Sequence, residues 1–370
     1  MSNMERFHSK RDQNYIFRTR NILRELPSFC EPFFRAIENT TTAQTRYAYA
    51  IDLRTFFQYA IAELSSFDHK TDIKDFSLVD LETFAVDDIE HYLSYISYYL
   101  RDNSDSRDGV ALQNHERAKL RKLSAIRALF KHLHKKQLIK ENITALVESP
   151  RLHDKPIIRL EPNEAADLLD AAENGSALSK HAQNYHKQNQ KRDTAILTLL
   201  LGTGIRVSEL VGLDIDDLDF KSGAFRITRK GGSVVQLYFG DEVDQALSDY
   251  FEERKRIIAV DGHQNAFFLS IQRKRLTARA VQNLVKKYSK MATPLKNISP
   301  HKLRSTYGTM LYQETGDIYL VADVLGHRDV NTTKKHYAAQ SDLNRRKAAR
   351  AIQLRDTALL SPEERDKNEE

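Results

Sequence analysis

The sequence has little of what secreted and membrane proteins need. Its 370 residues include one cysteine, Cys30, which excludes an internal disulfide framework and fits a reducing compartment. No stretch approaches the roughly 20 consecutive apolar residues of a membrane-spanning helix, and the first residues, MSNMERFHSKRDQNYIFR, lack the apolar core of a secretory signal. Hydrophobic residues still make up 41% of the chain, enough for a folded core. We therefore expect a soluble cytoplasmic protein, and the length favours two domains.

Charge of one sign is in only slight excess. The chain has 57 Lys and Arg against 51 Asp and Glu, a net charge of +6. The placement is more informative, because basic residues cluster at 117–136, 273–290 and 334–350. Separated basic stripes are typical of surfaces that follow a phosphate backbone, although solvated helix faces have the same composition. From the first two clusters we expect DNA contacts from Lys119, Arg121, Lys122, Arg273, Lys274 and Arg275.

The first 150 residues have a helical pattern almost throughout. Apolar residues recur at helical spacing in 44–63 and 86–100, and 117–135 carries apolar residues on one face and cations on the other. A four- or five-helix bundle with a basic flank is the simple interpretation. Three prolines in 148–162 indicate a linker. We predict a helical domain at 1–150, a linker at 151–162, a second domain at 163–350 and a tail at 351–370.

The second domain combines helices with a small sheet. The apolar run 195–201 predicts a buried helix, and Gly202 and Gly204 should break it before a short helix from about Ile205. Segments 225–229 and 234–239 have the composition of short strands, and the glycine pair between them is typical of a hairpin turn. Helical patterns then cover 243–257, 277–290, about 301–314, 317–325 and 330–350. The predicted fold class is mainly α with a small β-sheet.

Four short segments carry the residues of chemical interest. They are GTGIRVSEL at 202–210, KGG at 230–232, HKLR at 301–304, and LGH at 325–327 followed by Tyr337. In this order they resemble the tyrosine recombinase (phage integrase) family. The phrases RDTAILTLLLGTGIRVSEL, RITRKGG and SPHKLRSTYGTMLY are most similar to the Xer recombinases of the XerS type. Each motif alone is a weak signal, whereas the set, spread over nearly the whole chain, is highly specific.

The resemblance implies a fold and a reaction. A helical, SAM-like core-binding domain and a C-terminal α+β catalytic domain would form a C-shaped clamp around double-stranded DNA. The tyrosine would attack a backbone phosphate to give a 3′-phosphotyrosyl intermediate, and a homotetramer on two DNA sites would exchange strands in pairs. No cofactor is implied, neither metal nor ATP, because the phosphotyrosyl bond keeps the energy of the broken bond. The Xer likeness further implies chromosome dimer resolution at cell division, with a DNA translocase as partner.

The residue types suit this chemistry. A phosphodiester repels nucleophiles and gathers more negative charge in the transition state, so fixed cationic donors are needed. The planar guanidinium groups of Arg206 and Arg304 suit bidentate binding of the non-bridging oxygens. The resemblance makes Lys230, at the tip of the predicted hairpin, the general acid that protonates the leaving 5′-oxygen.

Two histidines complete the cationic set. His301 and His327 suit donation to phosphate oxygens, and His301 also suits acceptance of the tyrosine proton. A metal site formed with Asp323 and Asp329 is the alternative, but the spacing matches no usual ligand pattern and arginines flank the region. Glu209, one helical turn after the first arginine, either orients that cation or is an exposed helix residue.

Tyr337 is the predicted nucleophile. It enters the basic C-terminal stretch, where cations stabilise a phenolate. It lies ten residues after His327, whereas many Xer members place the tyrosine one residue sooner, a position held here by His336. The tyrosines near the HKLR helix are expected to pack: Tyr307, Tyr312 and Tyr319. The six predicted catalytic residues are Arg206, Lys230, His301, Arg304, His327 and Tyr337.

Three alternatives stay open. The same chemistry serves integrase- or excisionase-type recombinases of mobile elements. A catalytically inactive DNA-binding accessory protein would keep the clamp alone, and a type IB topoisomerase would share the phosphotyrosyl chemistry without a site requirement. The intact set of six residues argues against the accessory protein, and the lack of an obvious extra arm-binding domain argues against a lambda-type integrase.

Overall fold

The computed structural model describes residues 3–101, 110–152, 158–175, 180–229, 232–327, 329–331 and 333. The chain divides into two compact units, Met1–Lys155 and Pro156–Glu370. This division falls inside the proline-containing segment that the sequence marks as a linker. The DNA-binding and catalytic roles of the two domains stay predictions, as does the clamp. The predicted helix at 330–350 falls mostly, and the tail at 351–370 wholly, outside the described residues.

The first unit is a helical bundle with one small hairpin. Its described elements are α1 (Asn3–Leu23), α2 (Cys30–Ala36), α3 (Ala43–Glu63), α4 (Leu78–Thr83), α5 (Val86–Tyr95), β1 (Tyr98–Arg101), β2 (Val110–Gln113) and α6 (Glu116–Lys135). Helix α3 lies at the centre, because its buried face joins an aromatic cluster. Within that cluster Phe56 meets Tyr92 edge to face at 5.2 Å, an arrangement that aromatic quadrupoles favour.

The hairpin β1–β2 corrects the prediction of helix through residue 100. Helix α5 ends at Tyr95, and Tyr98 then pairs antiparallel with Gln113. The side chain of Asn114 donates to the Ile96 carbonyl at 2.8 Å and its backbone N–H donates to the Ser97 carbonyl. These bonds satisfy carbonyls that follow the helix end, and the tyrosines of β1 favour a strand.

One residue expected on the basic flank, Lys122, is buried instead. Its ammonium pairs at 3.4 Å with the carboxylate of Asp52, which is fully buried on α3, and Arg121 pairs with the same carboxylate from the half-exposed edge. A lysine enclosed in this way is not available to a DNA phosphate, so the expectation for Lys122 is wrong. The pair lets a charged residue sit among the apolar positions of α6.

The second unit places a small antiparallel sheet among helices. Its described elements are α7 (Pro162–Asn174), α8 (Lys180–Thr203), α9 (Val207–Leu210), β3 (Leu218–Asp219), β4 (Ala224–Thr228), β5 (Val234–Tyr238), α10 (Asp241–Arg254), α11 (Ala278–Ala292), α12 (Pro300–Thr315) and α13 (Ile318–Leu325). The strand order is β3-β4-β5, with Phe225 opposite Leu237. The predicted fold class, mainly α with a small sheet, is confirmed.

The apolar run in α8 is buried, as its composition predicts. Residues 193–200 are all buried, and the helix continues one residue past Gly202. It ends at Gly204, whose φ of +61° lies in the left-handed region that favours glycine. A side chain there would also overlap the ring of Tyr307. This turn directs the chain into α9.

Arg275, also expected to contact DNA, is a structural residue of this unit. It is buried, donates to the carbonyls of Val211 and Leu213, and pairs with the Asp214 carboxylate. That expectation is therefore wrong, whereas Arg273 and Lys274 are exposed. Across the described residues of both units, no helix has the length and apolarity to cross a membrane.

Candidate active site

Arg206 stands at the start of α9, held by its own helix. The Glu209 carboxylate accepts from the Arg206 backbone N–H at 2.9 Å and from its Nη1 at 2.8 Å. The guanidinium is about one third exposed, whereas the Glu209 side chain is only 5% exposed. The alternative that Glu209 is an ordinary exposed helix residue is thus wrong, and its contacts fix the plane of the Arg206 guanidinium.

His301 and Arg304 lie one turn apart on α12. Pro300 and Ser299 start this helix, a position that suits proline because the missing N–H has no partner there anyway. His301 is exposed, while Arg304 is buried. Residues three apart on a helix share a face, so the HKLR spacing directs both side chains toward the same region.

The LGH motif forms the end of α13. Gly326 has φ +61° and caps the helix, and the His327 backbone N–H turns back to the Ala322 carbonyl at 2.9 Å. The Nδ1 of His327 shares a hydrogen bond of 2.8 Å with the buried hydroxyl of Thr333. This contact fixes the orientation of the imidazole ring.

Three arginines converge on the last carbonyls of α13. Arg206 Nη2 donates to the carbonyls of Leu325 at 3.3 Å and Gly326 at 3.0 Å, and Arg304 donates to the carbonyls of Gly204 and Leu325. The final carbonyls of a helix lack intrahelical partners, and its C-terminal end attracts cations. The turn therefore aligns both predicted phosphate-binding guanidinium groups before any substrate arrives.

The third arginine, Arg229, follows β4. Its guanidinium donates to the carbonyls of Asp323 at 3.2 Å and Val324 at 2.8 Å. Burial lowers the pKa of Arg229, Glu209 opposes that shift, and the nearby charge of Arg206 adds to it. Arg229 lies directly before Lys230, and none of the four motifs assigns it a role. The single available signal was its position directly before KGG, because contacts to residues 94 and 95 positions away have no local pattern.

Two of the six predicted catalytic residues, Lys230 and Tyr337, lie outside the described residues. The guanidinium groups of Arg206 and Arg304 both donate to the Leu325 carbonyl, and His327 lies in the turn that follows Leu325. The tyrosines nearby differ from one another: Tyr307 is partly buried against Val321 and Leu325 and burial raises its pKa, so its predicted packing is confirmed. Tyr319 is 72% exposed, which makes its predicted packing wrong.

The metal alternative has no support in the geometry. Among the described side chains, no three histidine, cysteine, aspartate or glutamate residues come together as a ligand set. Arg229 also occupies the carbonyl of Asp323, one of the residues proposed for that alternative. The arginines at the end of α13 make the region cationic, which suits an anionic ligand.

The profile of the phage integrase family matches residues 159–344, half of the chain and most of the second unit. The chain belongs to the phage integrase family of tyrosine recombinases. The predicted enzyme class, a DNA strand-transfer recombinase, is confirmed by this membership.

Named relatives extend the similarity into the first unit. The chain is 32% identical over 292 residues to the tyrosine recombinase XerC of Caldanaerobacter subterraneus subsp. tengcongensis, covering 78% of this chain and 75% of that protein. It is 30% identical over 312 residues to the tyrosine recombinase XerS of Lactococcus lactis subsp. cremoris, covering 78% and 85%.

Two solved structures share the fold. The XerH site-specific recombinase in its post-cleavage complex with difH DNA has a TM-score of 0.63 at 19% identity, covering 91% of this chain and 88% of that one. The Tn1549 transposon integrase bound to transposon right-end DNA has a TM-score of 0.62 at 18% identity, covering 87% and 99%. At these identities the likeness is one of fold.

Proposed function

We propose that the chain cuts and rejoins DNA at specific sites through attack of Tyr337 on a backbone phosphate. The observation that supports this most is the shared anchorage of Arg206 and Arg304 on the Leu325 carbonyl, because two aligned guanidinium groups suit one phosphate. The phenolic oxygen bonds to phosphorus, the bond from phosphorus to the 5′-oxygen breaks, and a 3′-phosphotyrosyl enzyme results.

The remaining residues handle charge and protons. The arginines stabilise the charge that develops on the non-bridging oxygens, with Glu209 holding the orientation of Arg206. Lys230 gives its proton to the leaving 5′-oxygen, because an unprotonated alkoxide is a poor leaving group. His327, oriented by Thr333, donates to a phosphate oxygen, and His301 accepts the tyrosine proton. Rejoining reverses these steps with a 5′-hydroxyl from the partner strand.

We further propose an Xer-like role, chromosome dimer resolution at division, for a homotetramer on two DNA sites that works with a DNA translocase. The support is the similarity to XerC and XerS proteins over most of the chain. Since such a substrate is chromosomal DNA, the proposal places the protein in the cytoplasm. Arg273 and Lys274, being exposed, remain proposed DNA contacts, together with Lys119 and Arg121.

The test starts by finding the site. The Tyr337→Phe chain, which keeps the binding residues, selects bound duplexes from a random-sequence library, and sequencing gives the consensus. A duplex of that consensus, nicked close to the cut position, traps the covalent intermediate because the short 5′-hydroxyl fragment diffuses away. The unaltered chain should form an adduct that survives denaturation.

The matched control is Tyr319→Phe, which removes an exposed phenol from α13. It should form the adduct normally, whereas Tyr337→Phe should bind the duplex and form none. Binding without any adduct from the unaltered chain would favour the accessory-protein alternative. Relaxation of supercoiled plasmids lacking the consensus would favour a type IB topoisomerase. A single consensus site in the chromosome of the source cell supports the Xer role, whereas sites at the ends of a mobile element support an integrase.

A further inference from the structure

Arg229 lies at the turn end of the β4–β5 hairpin, directly beyond the Thr228–Val234 pair. Its backbone N–H donates to the Ser233 carbonyl at 2.8 Å, and the Gly232 backbone N–H donates back to the Arg229 carbonyl at 3.0 Å. Lys230 is the next residue in the chain. Because consecutive Cα atoms are about 3.8 Å apart, the position of Arg229 limits where the predicted general acid can lie.

The side chain of Arg229 fastens this hairpin to α13. Its two terminal nitrogens donate to the carbonyls of Asp323 and Val324, directly before the carbonyls that Arg206 binds. The guanidinium also lies against Gly326, where a Cβ would overlap it. The glycine of LGH thus serves both the left-handed turn and the close approach of this arginine.

The environment of Arg229 differs from that of a surface hairpin residue. Its Nε is buried without a hydrogen-bond partner among the described residues, and burial lowers the pKa of the group. Contact with water would supply the missing hydrogen bond and would hydrate the charge, so burial of this group has a cost in free energy. Arg226, three residues earlier on the same hairpin, is exposed and donates to the Asp216 carbonyl at 3.0 Å. Arg226 is therefore a suitable control: an arginine on the same hairpin that donates to Asp216 and not to the end of α13.

We propose that Arg229 is a positioning residue that ties the Lys230 hairpin to the Leu325–His327 turn, so that the general acid and the phosphate-binding arginines share one anchor. The inference rests on the proposed function, because it assumes that Lys230 protonates the leaving 5′-oxygen. Arg229 itself does not touch the substrate. Its loss should leave phosphate binding intact and impair only the delivery of the proton.

A substrate that needs no proton separates these effects. In a nicked duplex whose bridging 5′-oxygen at the cut position is replaced by sulfur, the leaving group is an alkyl thiolate, whose acid resembles cysteine with a pKa of about 8.5. Attack by the tyrosine breaks the bond from phosphorus to sulfur, and the thiolate departs unprotonated. Variants that lack only proton delivery should cleave this substrate well.

The experiment measures adduct formation on the oxygen and sulfur duplexes. Arg229→Met, which keeps the aliphatic stem, should cleave the oxygen duplex about 10- to 100-fold more slowly, part of the ~10²–10⁴-fold worth of a general acid. On the sulfur duplex it should stay within about threefold of the unaltered chain. If the methionine variant does not fold, Arg229→Lys replaces it in the experiment. Lysine keeps the positive charge but lacks the planar pair of donors that binds the two carbonyls. Arg226→Met should affect neither duplex.

The remaining outcomes distinguish failure of the positioning role of Arg229 from failure of the proposed function. Equal slowing on both duplexes, or no slowing on either, overturns the positioning role of Arg229. The control Lys230→Met should also be rescued by sulfur; if it is not, the general-acid assignment and this inference fall together, while adduct formation by the unaltered chain still supports the proposed recombinase chemistry. Absence of any adduct from the unaltered chain overturns the proposed function itself.

Discussion

Glu209 is the single carboxylate that contacts the Arg206 guanidinium in the described structure, which makes Glu209→Gln an informative change. The substitution keeps the size of the side chain and removes its charge. In the present structure the carboxylate accepts from both the backbone N–H and the Nη1 of Arg206. An amide has one oxygen and one NH₂ group, so after rotation toward either donor it leaves the other poorly paired.

The structure sets the size of the effect. A hydrogen bond to a charged group contributes about 1.5–3 kcal/mol against about 0.5–1.5 kcal/mol for a neutral one, so weakening two such bonds should cost roughly 2 kcal/mol. If the loss appears in the cleavage step, the rate falls about 30-fold. If it appears in folding, the melting temperature of a unit of this size falls by about 4–8 °C. The proposed orienting role predicts the first result.

The assay combines the rate of adduct formation on the nicked duplex with DNA affinity and thermal melting. Glu252→Gln is the control, because Glu252 forms the same kind of pair, three residues from Lys255 at 2.6 Å, on the exposed face of α10. Exposed pairs contribute little. Glu209→Gln should slow cleavage without weakening DNA binding, since it removes a negative charge. Cleavage within about twofold of the unaltered rate would refute the orienting role.

Three further predictions concern stability and pH. Gly326→Ala should lower the free energy of unfolding by about 1–2 kcal/mol because of the left-handed backbone. A further loss should follow because the new Cβ displaces Arg229. Thermal melting measures the total, and an unchanged melting temperature would contradict the prediction. Asp52→Ala should cost about 3–5 kcal/mol in chemical denaturation by leaving Lys122 buried without its carboxylate, and adding Lys122→Met should restore most of it; equal losses in single and double variants would contradict the burial argument. At Glu164, burial raises the pKa, but the hydrogen bonds from Lys296 and from the Glu161 backbone N–H outweigh burial and hold the pKa below its usual value. The stabilising contribution of Glu164 is therefore complete above about pH 4.3 and is lost as the pH falls through the lowered pKa of the folded state. Glu164→Gln should flatten the acid limb of the stability curve, and an unchanged limb would contradict the prediction.

The local patterns in the sequence predict the elements near the site well. The hairpin expected at 225–229 and 234–239 is found at Ala224–Thr228 and Val234–Tyr238, because a glycine pair between β-branched segments leaves few alternatives. Helix α6 spans Glu116–Lys135, within one residue of its apolar period. The motifs place Arg206 and Arg304 correctly in one region, since the resemblance transfers their spatial relation along with their order.

What the sequence could not predict depends on partners far along the chain. Lys122 has the composition of a basic surface, and its burial follows from Asp52, 70 residues away. Arg275 is likewise enclosed by the carbonyls of Val211 and Leu213, more than 60 residues away. Periodicity reports which face of a helix is apolar, but not which charged residue meets a buried counter-charge. The anchoring role of Arg229 was missed for the same reason.

The most direct test of the account is the identity of the residue that becomes attached to DNA. The covalent adduct on the nicked consensus duplex can be digested with protease and nuclease and its phosphorylated peptide sequenced by mass spectrometry. We expect a phosphate on Tyr337, bonded through the phenolic oxygen to the 3′ end. A phosphate on any other residue, including the adjacent His336, would contradict it.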